Sequence, residues 1–122
     1  MDDKGFTFPH NDDYQEFKES LAYTEKMRAA LSRREPAIRD FFDLFFAYST
    51  LKFDFFEENF IQMVKQKLSI PGNGPIDLSL HRKRQLIQQT KTNLQSVLRP
   101  LDYSNFDIEK SFHFVSTVAK YL

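Results

Sequence analysis

The stretch "FFDLFFAYSTLKFDFFEENF", residues 41–60, holds eight of the fourteen phenylalanines of this 122-residue chain. At 100° per residue, the large apolar side chains in and around it fall within one arc of a helix: Ile38, Phe42, Phe45, Phe53, Phe56, Phe60 and Val64. The pattern predicts one long helix over roughly residues 36–69. A break near residues 49–53 is the alternative, because "AYSTLKF" has high β-propensity and Asp54 with Glu57 can cap a new helix.

Prolines divide the chain into a short tail and four longer segments, and each segment is long enough for a helix. The first helix is expected to start near residues 11 or 12 and to end before Pro36, since the residue preceding a proline disfavours the helical conformation. The third is expected to be capped by Asp77 or Ser79 and to stop at Pro100. The sequence therefore places a loop, "PGNGP", between the second and third helices.

The last segment follows Ser104 and carries apolar residues at helical spacing to the end of the chain. A chain of 122 residues fits one domain with one core. We therefore expect an all-α fold, a four-helix bundle with a long, Phe-rich second helix. The expected unit is a single helical domain over residues 1–122, with residues 1–11 as a flexible N-terminal tail.

A second apolar row lies about 100° round the long helix from the first: Leu44, Tyr48, Leu51 and Phe55. Two apolar faces need two partners. Left in water, the row forms a patch of a few hundred Å², a size typical of binding sites. The sequence predicts a surface for a protein partner or a homodimer; the alternative is that both faces are covered within the bundle.

The third helix is rich in basic and amide side chains and has no acidic residue between residues 81 and 100. Helices that read nucleic acid present such side chains to phosphates and bases. The candidate contacts are Arg82, Lys83, Arg84 and Lys91. These cations do not share one strip of the helix, so a solvated face that pairs with the acidic second helix is the other interpretation.

Sites for catalysis are not indicated by the sequence. The chain has no cysteine, and its three histidines lack the spacing that places two metal ligands on one helical face. The loop "PGNGP" lacks the lysine and hydroxyl side chain of a phosphate-binding loop. We therefore expect no catalytic residue, no metal site and no cofactor.

The apolar stretches are too short and too often interrupted by charge to span a membrane, and the formal net charge is zero. The sequence thus predicts a cytoplasmic, non-enzymatic interaction module, an adaptor or accessory protein that associates through the second helix. A regulatory nucleic-acid-binding protein that uses the third helix is the alternative. Phosphate contacts weaken with salt and apolar association does not, so salt response separates the two.

Overall fold

The computed structural model describes the backbone of residues 11–122 and the side chains of residues 17–122, and it confirms the all-α class. This part of the chain contains helices and no strand. The helices are α1 (Asn11–Ser32), α2 (Ile38–Ser49), α3 (Glu58–Leu68), α4 (Leu80–Gln89), α5 (Gln95–Val97), α6 (Pro100–Asn105) and α7 (Ile108–Ala119). A π-helical turn, Thr90–Leu94, joins α4 to α5. The predicted tail lies outside the described residues except for Asn11, which begins α1.

The core lies between α1, α2, α3 and α7, with α4 along one side. Helix α1 packs against α2, α3 and α7, and α2 packs against α7. The side chains with no exposed surface come from all of these elements: Met27, Ala30, Leu31, Phe41, Leu44, Ala47, Phe55, Val64, Leu86, Val115 and Val118. The four predicted helical segments are compatible with this arrangement, although two of them are divided.

The predicted second helix is divided within the stretch of residues 41–60. Helix α2 ends at Ser49 and α3 begins at Glu58, so no continuous helix runs over residues 36–69. The chain reverses at Lys52, whose φ of 61° is left-handed, and the amide of the next residue, Phe53, donates to the Ala47 carbonyl at 2.9 Å. The structure therefore adopts the alternative of a break at residues 49–53 and extends it to residue 57.

A new cap starts α3. The Glu57 carboxylate accepts a hydrogen bond from the Asn59 amide at 2.6 Å, and the Asp54 carboxylate accepts one from the Phe56 amide at 3.0 Å. The first bond satisfies an amide that an uncapped helix start leaves without a partner, and the second stabilises the turn that leads into α3. The two acidic residues of the proposed capping pair thus stabilise the break, with Glu57 as the N-cap residue.

Replacing Lys52 by glycine is expected to raise the free energy of unfolding by up to about 1 kcal/mol, because a left-handed conformation is costly for a residue with a Cβ atom. Urea unfolding measures the change. Lys65→Gly in α3 is the matched control, since Lys65 is also an exposed lysine but lies inside a helix. There glycine should lower stability by about 1 kcal/mol; a loss at both positions would contradict the prediction.

The Gln89 side chain joins the α1–α2 linker to α4. The Gln89 side chain accepts a hydrogen bond from the Ile38 amide and donates one to the Pro36 carbonyl, both at 2.8 Å. Pro36 lies two residues before α2, in the linker, rather than in its first turn. Gln89 therefore satisfies a polar group at the start of α2, whose N-cap residue Ala37 has no side chain that can do so.

The predicted third helix ends before Pro100. Leu98 and Arg99 are extended, as expected immediately before a proline, and Pro100 occupies the first turn of α6. The start of the predicted third helix agrees with the prediction, because the Ser79 hydroxyl accepts a hydrogen bond from the Arg82 amide at 3.2 Å. Helix α7 then starts at Asp107, whose carboxylate accepts from the Lys110 amide.

Candidate functional site

The predicted apolar row of residues 44–55 does not form one surface. Leu44 and Phe55 have no exposed surface, whereas Tyr48 is 40% and Leu51 58% exposed. The prediction of one row assumes a continuous helix. The chain instead reverses at Lys52, and the first and last residues of the row lie in the core. Assigning Leu44 and Phe55 to a partner surface is therefore wrong. Tyr48 and Leu51 stay predicted contact residues.

The aromatic rings of the stretch pack against one another and against α7. Phe114 of α7 stacks on Tyr48 with ring centroids 4.2 Å apart and meets Phe55 edge-on at 5.1 Å. Phe55 also contacts Phe60 at 5.3 Å and Tyr23 of α1 at 5.6 Å. Such offset and edge-on pairs add to the energy of apolar burial. Most of the aromatic surface is therefore used inside the chain.

A cleft of about 540 Å³ lies where α2 and the segment that precedes α3 face α7, and we call it the aromatic cleft. Its walls are the rings of Phe45, Tyr48, Phe56 and Phe114 together with polar side chains of α7, among them Lys110. Apolar walls with a few polar groups are typical of binding pockets.

Arg82, a predicted nucleic-acid contact, is 1% exposed and holds the end of α1. Its Nη1 donates to the Arg33 carbonyl at 2.8 Å, and its Nη2 donates to the Ala30 carbonyl at 2.8 Å and to the Ala29 carbonyl at 3.4 Å. A cation at a helix C-terminus satisfies unpaired carbonyls and opposes the helix dipole. The assignment of Arg82 to a nucleic-acid surface is therefore wrong; its guanidinium is a helix cap.

The other predicted basic contacts lie in different surroundings. Lys83 forms an ion pair with Glu109 of α7, Nζ to Oε1 at 2.6 Å, and lies 5.8 Å from the centre of the Phe112 ring. Arg84 and Lys91 are exposed. The structure does not bring the four residues together. Contact with nucleic acid stays a prediction only for Lys83, Arg84 and Lys91.

The acidic residues of α2 do not pair with α4. Asp43 binds Lys26 of α1 at 2.9 Å and Arg39 of its own helix at 3.1 Å. The predicted pairing between an acidic second helix and a basic third helix is wrong for these residues. The charges of α2 instead help to hold α1.

Asp40, the other acidic residue of α2, lies half-buried near cations of α1 and the linker that follows it. Its nearest ones are Lys26 at 4.0 Å and Arg33 at 3.8 Å, and its Oδ2 atom is buried without a hydrogen-bond partner. Burial raises the pKa of this carboxyl above its ordinary value, although Lys26 and Arg33 lower it. The fold therefore favours the protonated form of Asp40.

Asp40→Asn is expected to be more stable than the parent at neutral pH. A carboxyl whose pKa is raised by folding contributes stability below its unfolded pKa and loses it as the pH rises through the folded pKa. The advantage of the asparagine should therefore shrink as the pH falls from the raised folded pKa of Asp40 towards the ordinary aspartate value, and it should be absent below that value. Thermal unfolding across that range measures it. Asp43→Asn, which removes two close ion pairs, should instead lower stability at neutral pH, and the same sign for both variants would contradict this account.

A second cleft lies between the end of α1 and the loop that precedes α4, and we call it the arginine cleft. It has a volume of about 590 Å³, and four arginines line it: Arg28, Arg33, Arg34 and Arg82. The loop "PGNGP" forms the opposite wall, together with Asp77. Sequence reasoning missed this cleft, because its arginines come from separate segments; the adjacent pair at residues 33 and 34 is the one signal in the sequence.

The loop is fixed to α1 by backbone and side-chain contacts. The Asp77 amide donates to the Leu31 carbonyl at 2.8 Å, and a Cβ atom on Gly74 would lie 3.3 Å from the Ser32 carbonyl oxygen. Arg28 Nη1 donates to Asn73 Oδ1 at 3.0 Å. Both walls of the arginine cleft are therefore held in place by the fold.

Within residues 17–122, no group of three histidine, aspartate or glutamate side chains is placed to hold a metal ion. His81 and His113 are exposed and far apart in the chain, and His10 lies outside the described residues. No helix of the described part is both long enough and apolar enough to cross a membrane.

Residues 22–117 match a protein family described as the nucleotidyl transferase AbiEii toxin, of a type IV toxin–antitoxin system. Among curated proteins and among solved structures, none is significantly similar to the chain. The match overturns two predictions: that the chain is an adaptor or accessory protein, and that it is not an enzyme. Membership of a nucleotidyl transferase family points to a toxin enzyme instead. This interpretation also replaces the alternative of a regulatory nucleic-acid-binding protein.

Proposed function

Because this chain belongs to the family of AbiEii nucleotidyl transferase toxins, we propose that it acts as a toxin that transfers a nucleotidyl group from a nucleoside triphosphate to an acceptor. The family match over residues 22–117 carries the proposal. The matched region runs from within α1 to the last turn of α7, so it includes both clefts and all of the buried apolar side chains of the described residues except Val118.

In such a transfer, an acceptor oxygen attacks the α-phosphorus of the triphosphate. A new phosphorus–oxygen bond forms, the bond to the bridging oxygen breaks, and pyrophosphate leaves while the acceptor proton passes to a base or to water. Little of the barrier is removed by covalent chemistry of the protein, and catalysis depends on positioning and on the stabilisation of phosphate charge. We propose that the described residues bind and orient the substrates. Rigid clefts with cationic or aromatic walls support this role.

The proposal also concerns partner and location. The family description names a toxin–antitoxin system, so the partner class we propose is a cognate antitoxin protein. We place the reaction in the cytoplasm, where nucleoside triphosphates are present. The proposed residues for a protein contact are Tyr48, in the wall of the aromatic cleft, and Leu51, which is exposed at the chain reversal.

The experiment that tests the proposal is a transfer assay with the purified full chain. Each of the four ribonucleoside triphosphates, labelled at the α-phosphate, is incubated in turn with total RNA and with total protein as acceptors. We expect label to enter one acceptor class and pyrophosphate to be released in equal amount. Induced expression of the chain should also stop growth, as a toxin does.

The control uses an analogue whose α,β-bridge is carbon and therefore cannot release pyrophosphate. It should give no transfer. Label that enters neither acceptor with any nucleotide, together with normal growth on expression, would contradict the proposed function.

A further inference from the structure

We propose that the arginine cleft binds the phosphate chain of a nucleoside triphosphate. This inference deepens the proposed function by naming a binding site for the nucleotide, and it rests on that function for the identity of the nucleotide. The phosphate chemistry itself rests on the charges, hydrogen bonds and shape of the cleft.

The cleft carries an excess of positive charge. Four guanidinium groups line it against the one carboxylate of Asp77, which leaves a formal charge of +3. The Asp77 carboxylate accepts a hydrogen bond from the Ser79 amide at 3.0 Å, so it is already engaged at the start of α4. Guanidinium groups match phosphate oxygens in shape and charge and bind them through paired hydrogen bonds.

Several of these donors are available to a ligand. Arg34 is exposed and forms no hydrogen bond or ion pair with another described residue, and Arg33 has only the carboxylate of Asp40 at 3.8 Å. The Arg82 Nε atom is buried and has no partner in the described structure, although both of its terminal nitrogens are bonded. A buried donor without a partner is costly, and an anion in the cleft is a partner of the right charge.

Arg28 has a different part in the cleft. Its guanidinium is divided between Glu25, at 2.7 Å from Nη2, and Asn73 of the loop. The Asn73 amide in turn donates to the Lys67 and Ile70 carbonyls at the end of α3. Arg28 therefore positions the loop, and we assign ligand contact to Arg33 and Arg34.

Size and rigidity also fit a small ligand. A volume of about 590 Å³ lies within the range of small-molecule sites, which is roughly 300 to 1,000 Å³. Both walls are fixed by the contacts of Asp77, Gly74 and Arg28, so little ordering remains to oppose binding. An extended RNA strand needs a groove with an open track, and this cleft is closed at one side by the α1–loop contacts.

The simplest alternative is that Arg82 is only a cap and that Arg33 and Arg34 are ordinary surface charges. In that case, phosphate attraction depends on net charge, and any two exposed arginines contribute equally. A matched pair of variants separates the two accounts: Arg33→Gln with Arg34→Gln inside the cleft, and Arg39→Gln with Arg99→Gln outside it. Both pairs remove two positive charges from exposed positions.

Calorimetric titration of the full chain with sodium tripolyphosphate, at physiological ionic strength, is the first measurement. We expect binding that the cleft pair weakens about a hundredfold, at roughly tenfold for each charged hydrogen bond. The control pair should change the affinity by no more than about twofold. Both pairs should unfold within a few degrees of the parent, because each removes only ion pairs of exposed arginines, Arg33 with Asp40 in the one and Arg39 with Asp43 and Arg99 with Asp102 in the other.

The second measurement repeats the titration with a nucleoside triphosphate and adds the transfer assay. The cleft pair should raise the KM for the nucleotide while the control pair leaves it unchanged. Tripolyphosphate binding without any transfer would contradict the proposed function and leave the cleft assignment in place. Transfer with an unchanged KM in the cleft pair would overturn the cleft assignment and leave the function in place.

Two further results would also overturn the inference. One is an equal loss of tripolyphosphate affinity in both pairs, which would indicate net charge alone. The other is RNA binding that the cleft pair abolishes while the parent does not bind tripolyphosphate, which would assign the arginines to a nucleic-acid backbone.

Discussion

Replacing Arg82 by methionine is expected to lower the free energy of unfolding by about 3 to 5 kcal/mol. Methionine fills much of the same volume, so the loss comes from the carbonyls of Arg33 and Ala30, which would lose their donor; the Ala29 carbonyl keeps its bond from the Arg33 amide. Each unsatisfied group costs roughly 1 to 3 kcal/mol. A loss of this size is a large share of the stability of a domain. Urea unfolding followed by circular dichroism measures it.

Arg84→Met is the control for this prediction. Arg84 lies two residues further along the same helix and is exposed, so its replacement should change stability by about 0.5 kcal/mol or less. If the two variants lost equal stability, the capping role of Arg82 would be disproved.

Phe55→Ala is expected to cost about 3 to 5 kcal/mol, the usual range for truncating a buried phenylalanine. Phe55 has no exposed surface and contacts the rings of Phe53, Phe60, Phe114 and Tyr23. Its removal leaves a cavity between α1, α3 and α7 and breaks four ring contacts at once. Thermal unfolding of the variant and the parent measures the loss.

Leu51→Ser tests the other part of the same stretch. Leu51 is 58% exposed at the chain reversal, so a polar replacement should cost no more than about 1 kcal/mol. Comparable losses for Phe55→Ala and Leu51→Ser would mean that the reversal packs more tightly than the structure shows.

The helical class could be predicted because apolar side chains recur at 3.6-residue spacing and prolines separate the segments. The division of the second helix was harder to predict, since the apolar phase continues through residues 49–53 and supports one helix as well as two. The Glu57 cap favours the break and offsets part of the cost of a left-handed Lys52, and neither shows in the periodicity. Local capping therefore overrode a pattern that spanned both helices.

The arginine cleft could not be predicted, because tertiary contacts assemble it. Arg28 and Arg82 are separated by 54 positions, and only the packing of the loop against α1 places them together. In the sequence, Arg82 is a positive charge in a basic run, which predicts a surface contact. In the structure its side chain is buried and caps helix α1. The enzymatic family was missed for a similar reason, since the described residues carry none of the compact catalytic motifs that sequence reasoning can detect.

The π-helical turn at residues 90–94 has a consequence for the evolution of the chain. A turn of this kind holds one residue more than an α-helical turn, so it is equivalent to a single inserted residue. Removing one residue there would restore a regular helix and keep Leu86 and Leu98 on the core side, whereas a deletion within residues 80–89 would rotate everything that follows by about 100°. Family members that are one residue shorter in this helix should therefore have their gap at residues 90–94, which an alignment of relatives can check.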